Sequence, residues 1–300
     1  MALNIEVLGP QRHQVGESPL WSVAEQALYW VDIDACRLWR WDAASGRIEH
    51  WSTPERLACI ALRTEGGLIG GLETQLAALL PQPGGELQTL PLASVTHPQP
   101  GMRFNDGRAD RDGRFWAGTM VRNMALASPA GQLYRWDSHG LSAPLMDGFI
   151  TPNGLAFSAD GRMMYISDSH PSVQAIWRYR LDADGLPRGG RELFVDMTQH
   201  PGRPDGAAID VDGCYWICGN DAGQVHRFRP DGKLDRSIAL PISKPSMCSF
   251  GGPQLDQLFV ASITPAKPAP GFDASLDGAV LVLSPGTQGL AERPCSAPVA

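Results

Sequence analysis

The stretch FITPNGLAFSADGR, residues 149–162, sets Pro-Asn-Gly before a short apolar run that ends in Asp-Gly. About fifty residues on, GRPDGAAIDVDGC (202–214) repeats the phrase with Asp in place of Asn. Each reads as a turn leading into a β-strand, because Pro, Asn, Asp and Gly favour the backbone that turns require. The phrases place Asn153 and Asp205 at matching points of a repeat. Matching points of a repeat converge in space if the repeat is arranged around an axis.

Working outward, the chain is a succession of short aromatic or β-branched runs. ALYWVDI is followed by RLWRWD, GRFWAGTM by QLYRWD, MMYISDS by AIWRYRLD, and CYWICG by QVHRFRPDG. Asp-Gly, Ala-Gly, Ser-Gly and Gly-Gly pairs separate them, and no long segment keeps a helical apolar period. The spacing of roughly 40–50 residues is that of propeller blades. A chain of 300 residues then holds about six. The predicted architecture is an all-β, six-bladed β-propeller with a central channel, one domain over residues 1–300. Two stacked β-sandwiches explain the regular pairs less well. GGLIGGLETQLAALLPQPGG reads as a degenerate second blade.

In such a ring the innermost strands line the channel, and the loops entering them gather at one mouth. Asn153 and Asp205 both precede an inner-strand pattern, and GESPLWSVAEQALYW supplies Glu17 in the same framing. Two carboxylates and an amide oxygen suit a hard divalent ion and leave positions for water or substrate. Each residue alone is also an ordinary turn or surface residue; equivalent placement in three blades favours the shared site. In GMRFNDGRAD, Arg103 and Asn105 alternate onto one face of an extended segment, where a guanidinium fork and an amide suit sugar hydroxyls or a carboxylate. The bland alternative is an Arg paired with an acid and an Asn that opens an Asn-Asp-Gly turn. Asp168, at the end of MMYISD, either lines the channel as an acceptor or pairs with backbone N–H groups. His170 and His200 are the two histidines near the proposed site loops, and a surface or capping role is expected for both.

The net charge of −7 and the lack of a Lys/Arg-rich block disfavour nucleic acid. No apolar stretch approaches the roughly 20 residues of a membrane span. The N-terminal residues lack a signal-peptide pattern, and the six scattered cysteines read as reduced thiols, so a cytoplasmic location is expected. No nucleophile elbow or phosphate-cradling glycine loop is present.

The phrases GESPLW, RFNDGRADRDGRFWAGTM, ITPNGLAFSADGRMMYISDS and RPDGAAIDVDGCYWI resemble the senescence-marker-protein-30/gluconolactonase/luciferin-regenerating-enzyme family over about residues 12 to 285. The resemblance implies a six-bladed propeller that hydrolyses sugar lactones with one divalent ion, whether Ca, Zn, Mn, Mg or Fe(II). It implies Glu17, Asn153 and Asp205 as metal ligands, Asp205 as catalytic base, and Arg103 and Asn105 as substrate contacts. Where relatives active on gluconolactone often carry a Glu, this chain has Asn123, with Arg122 before it. That exchange favours a substrate with negative charge. The expected partner is a small sugar lactone, with the protein a monomer or weak homo-oligomer. The alternatives are a calcium-binding or scaffolding propeller without turnover, and a paraoxonase-like or strictosidine-synthase-like enzyme; for the paraoxonase type's His dyad and two-calcium centre the chain offers no candidate.

Overall fold

The computed structural model describes residues 4–82 and 84–297. Six antiparallel sheets follow one another along the chain. Their innermost strands are Gly16–Ser22, Cys59–Leu62, Met102–Ala109, Pro152–Phe157, Arg203–Ile209 and Pro245–Gly251. Each is neighboured by the inner strands of the sheets before and after it, and the sixth returns to the first. This is the six-bladed propeller that the repeat predicted, and the degenerate blade is complete, with strands Cys59–Leu62, Leu68–Gly71, Gln75–Pro81 and Leu87–Ser94 in order.

The ring is closed by a strand that the repeat did not show. Ile5–Val7 pairs with Leu281–Leu283, Ile5 opposite Leu283, and completes the sixth blade from the other end of the chain. Apolar cores lie between blades. Val31, Leu38, Ile60 and Leu79 join the first two, and Trp216, Val225, Phe250 and Leu258 join the fifth and sixth. Middle strands are therefore buried on both faces, which is why Ala27–Asp32 is buried throughout instead of alternating.

A carboxylate fixes two of the hairpins. In DRDGRFW and DVDGCYW, Asp110 and Asp210 accept from backbone N–H groups two and four residues on. Each also accepts from the indole N–H of the Trp six residues on, Trp116 at 3.0 Å and Trp216 at 2.8 Å. Asp210 is sealed from solvent and accepts from Arg227 Nε at 2.7 Å as well. The Asp-Gly that ends the second phrase, read from sequence as a turn, is one.

The last residues cross the far ends of the inner strands. Leu290 N donates to Ile209 O, Glu292 pairs with Arg108, and Cys295 N donates to Leu62 O. Between Ser18, Ile60, Gly107, Met247 and Glu292 a cavity of about 10 Å³ remains, room for about one water molecule.

Removing a partner from a buried ion pair costs about 3–5 kcal/mol. Asp210→Ala leaves Arg227 Nε and the Trp216 indole without an acceptor, while Asp212 and Asp235 still hold the guanidinium, and is therefore expected to lower the unfolding free energy by about 3 kcal/mol. Chemical denaturation followed by tryptophan fluorescence measures it.

Candidate functional site

In five of the six inner strands the pairing register slips at the same height. The slips lie between Glu17 and Leu20, Phe104 and Gly107, Asn153 and Ala156, Pro204 and Ala207, and Pro245 and Cys248. A β-bulge adds a residue and re-aims the side chains around it. Glu17 and Asn153 are the last paired residues before their bulges, and Asn105 and Asp205 the first residues inside theirs. The Pro-Asn-Gly, Pro-Asp-Gly and Asn-Asp-Gly phrases are thus strand bulges, not the turns their composition suggested.

The segments entering these strands are pinned from across the hairpin. Asp168 accepts from Ile150 N at 2.7 Å and Thr151 N at 3.0 Å, just ahead of Asn153. Asp32 accepts from Gln14 N and Val15 N just ahead of Glu17. Asp168 therefore takes the second of its two predicted roles, pairing with backbone N–H groups.

Three of the predicted residues join in one chain of contacts. Arg103 Nη1 donates to Asn105 Oδ1 at 2.7 Å, and Asn105 Nδ2 donates to Asn153 Oδ1 and to Pro152 O, both at 2.9 Å. Asn153 Nδ2 donates to Ser169 Oγ at 2.6 Å. Asp205 is held separately, its Oδ2 accepting from Asn220 Nδ2 at 2.6 Å. Glu17 Oε2 accepts only its neighbour's N–H, from Ser18 at 2.9 Å.

Glu17 and Asp205 feel each other as like charges. Burial raises the Glu17 carboxyl well above the ordinary range, and Asp205 and Asp106 add to the rise. Burial likewise pushes Asp205 up to about 7, against the opposing pull of Arg203 and the Asn220 amide. The nearby guanidiniums are engaged elsewhere: Arg203 pairs with Asp221 at 2.6 Å and donates to Ser169 O, and Arg103 holds Asn105. Two desolvated carboxylates with open oxygens and no cationic side chain bonded to them fit a divalent cation, with Asn153 Oδ1 as a neutral third donor. Among the described residues no group of three or more His, Cys, Asp or Glu gathers; the predicted set contains only two such residues.

Two residues join the site in roles that the sequence reading did not give them. Asn220 closes the second strand of the fifth blade, opposite Arg203, as Asp168 closes that of the fourth opposite Pro152. The repeat itself carried that signal. Asp106, inside the third blade's bulge, is buried with Oδ2 accepting from Leu155 N at 2.8 Å and Oδ1 without a partner. Burial raises it to about 6. Asn123 stands outside the chain of contacts. It is exposed and caps the 3₁₀ turn Met124–Leu126 through Ala125 N. His170 reaches the same turn at Met124 O, 3.1 Å away.

The family model for the SMP-30/gluconolactonase/LRE-like region matches residues 15–264, most of the chain and all of the residues above. The chain belongs to this family. Among its relatives is a 6-deoxy-6-sulfogluconolactonase from Pseudomonas putida, 40% identical over 93% of this chain and 94% of that protein. Regucalcin from Gallus gallus is 32% identical over 87% of each chain. In three dimensions the fold matches a calcium-binding protein, regucalcin, from Agrobacterium tumefaciens, with a TM-score of 0.89, 26% identity and 98% of each chain covered.

A carboxyl raised in the folded state contributes stability that is fully present below its unfolded value and lost as pH rises through the folded one, about 7 for Asp205. The cation-free protein is therefore expected to gain thermal stability at pH 8 from Asp205→Asn, which keeps the Asn220 contact. The same substitution should abolish the rise in Tm that an added divalent cation gives the parent. Thermal melts with and without cation check both.

Proposed function

We propose that this protein opens sugar lactones to the corresponding sugar acids with the help of one divalent cation held by Glu17, Asn153 and Asp205. The observation that carries the reading is the Arg103–Asn105–Asn153 hydrogen-bonded chain across neighbouring inner strands, with the half-buried Glu17 and the buried Asp205 on inner strands of the same ring acting on each other as like charges. The bacterial relative named for a gluconolactone supports the substrate class.

Lactone hydrolysis needs a polarised carbonyl, a nucleophilic water and a proton for the departing alkoxide. A bound divalent ion supplies the first two, as a Lewis acid and by lowering the pKa of water. Asp205 would take the proton of the attacking water and return it to the departing alkoxide: one oxygen is fixed by Asn220, and the other accepts from no donor among the described residues. Burial raises its proton affinity, which offsets the lowering that a bound cation would cause. Arg103 and Asn105 orient the sugar, Asn105 by fixing the guanidinium through Nη1 while its Nε and Nη2 stay free, and Asn123 meets it from the rim. The donor set admits Ca, Mg, Mn, Fe(II) or Zn, which differ in coordination geometry.

The second reading, a calcium-binding propeller without turnover, is favoured by the solved relative described as a calcium-binding protein. Acid release from gluconolactone, galactonolactone and pentonolactones, followed by a pH indicator, separates the two. Turnover is expected, lost with EDTA and restored by a divalent cation. No turnover on any lactone sinks the lactonase reading, and turnover indifferent to EDTA sinks the metal's role. Asp205→Ala is expected to lower kcat/KM by about a hundredfold or more, with the far-ultraviolet circular dichroism of the parent retained.

A further inference from the structure

We propose that Arg103 and Arg122 form an anion subsite at the channel mouth, selecting lactones that carry a tetrahedral oxyanion, such as a sulfonate, away from the ring carbonyl. The proposal rests on the lactonase reading and names the substrate class within it.

The geometry comes from the hairpin of the third blade. Met102 is paired with Val121 and Arg103 with Met120, and Arg122 N donates to Gly101 O at 2.9 Å, which continues the register by one residue. Arg122 is therefore the diagonal cross-strand neighbour of Arg103 on the same face, where long side chains reach one another. Val121 points the other way, and Asn123 has left the strand for the 3₁₀ turn. Of the two residues standing near the site after AGTM, Arg122 is the one that shares a face with Arg103.

Their bonding leaves donors free. Arg103 Nη1 is taken by Asn105 Oδ1 and Phe104 O. Its Nε and Nη2 donate to no protein group among the described residues and are not sealed from solvent. No carboxylate lies within ion-pair distance of Arg103 among the described residues, although the side chain is half-buried. Arg122 is exposed and has one acidic contact, Glu73 at 3.1 Å, which it shares with Arg56 at 3.2 Å. Arg56 also pairs with Asp34 at 2.8 Å. Arg56 and Arg122 thus share two carboxylates, Asp34 and Glu73, and Arg103 is paired with neither. Burial lowers the proton affinity of Arg103 against the longer-range pull of Asp34 and Glu17, and Arg122 adds to the lowering as a like charge.

A like-charged pair with unused planar donors is what an oxyanion with several acceptor oxygens satisfies. A neutral aldonolactone leaves Arg122 unused. The relative named for a sulfogluconolactone points to the same chemistry.

The test compares kcat/KM on 6-deoxy-6-sulfogluconolactone, 6-phosphogluconolactone and gluconolactone for the parent, Arg122→Gln and Arg122→Lys. Arg122 lies on the surface and Glu73 keeps Arg56, so these variants are expected to melt with the parent. The parent should prefer an anionic lactone to the neutral one. Arg122→Gln should cut that preference by about tenfold or more, the worth of a charge-assisted bond, and Arg122→Lys should restore part of it. Sulfonate over phosphate, or the reverse, identifies the source of the oxyanion. An anionic-to-neutral ratio unchanged by Arg122→Gln overturns the proposal. Calorimetric titration with 6-deoxy-6-sulfogluconate against gluconate reads the subsite without turnover. Sulfonate binding that depends on Arg122 in a protein that opens no lactone would sink the lactonase reading alone, and sulfonate binding indifferent to Arg122 would sink the subsite.

Discussion

The inner strands approach one another so closely around the axis that the positions after Asn153 and Asp205 have no room for a Cβ. One added at Gly206 would stand 2.3 Å from the Met247 side chain of the next blade. One at Gly154 would stand 2.4 Å from the Tyr215 hydroxyl, and Gly154 also needs a φ of +62°. Tyr215 uses that closeness to donate to Gly154 O at 2.7 Å. The glycine after Asn153 and the glycine after Asp205 are thus consequences of crowding at the centre of a ring. They let the backbone bulge without collision, and the bulge turns the preceding side chain toward the site. Fold and chemistry share one constraint there, and the repeated phrase is its trace in the sequence.

That origin explains what sequence reading captured. Blade number and the positions of Glu17, Asn153 and Asp205 follow from a period, and a period survives any misreading of local conformation. The local conformation was misread: Pro-Asn-Gly has the composition of a turn, and nothing in it distinguishes a glycine chosen for its φ from one chosen for lack of space. The closing strand was hidden for another reason. Ile5–Val7 is three residues long, and its partner lies at 281–283, so no local pattern announces the pairing. No sequence pattern marks Asn220 as the holder of Asp205, because that bond crosses a hairpin whose register only the fold defines. The same gap separates Asn123 from Arg122: a count along the chain points to the first, and the register of the strand points to the second.

The site is electrostatically divided. Glu17, Asp106 and Asp205 lie where burial raises all three. The rim carries the arginines, with Arg203 and Lys244 both on Asp221 on one side and Arg56 and Arg122 both on Glu73 on the other. Acid within and base at the rim is an arrangement for a ligand that is cationic at its inner end and anionic at its outer end, or for a cation and an anion bound together. Neither half is comfortable alone, because like charges at short range in a medium of low polarisability repel strongly.

Residues 290–295 cross the far side of the ring, with Leu290, Glu292 and Cys295 tied to the ends of three inner strands. A small molecule that enters from the mouth would then leave by the mouth. Traffic is then single-file: a departing molecule must clear the entrance before the next can enter. A product retained at the mouth competes with its own precursor, so the ring of blades that concentrates the chemistry also couples the rate of arrival to the rate of release.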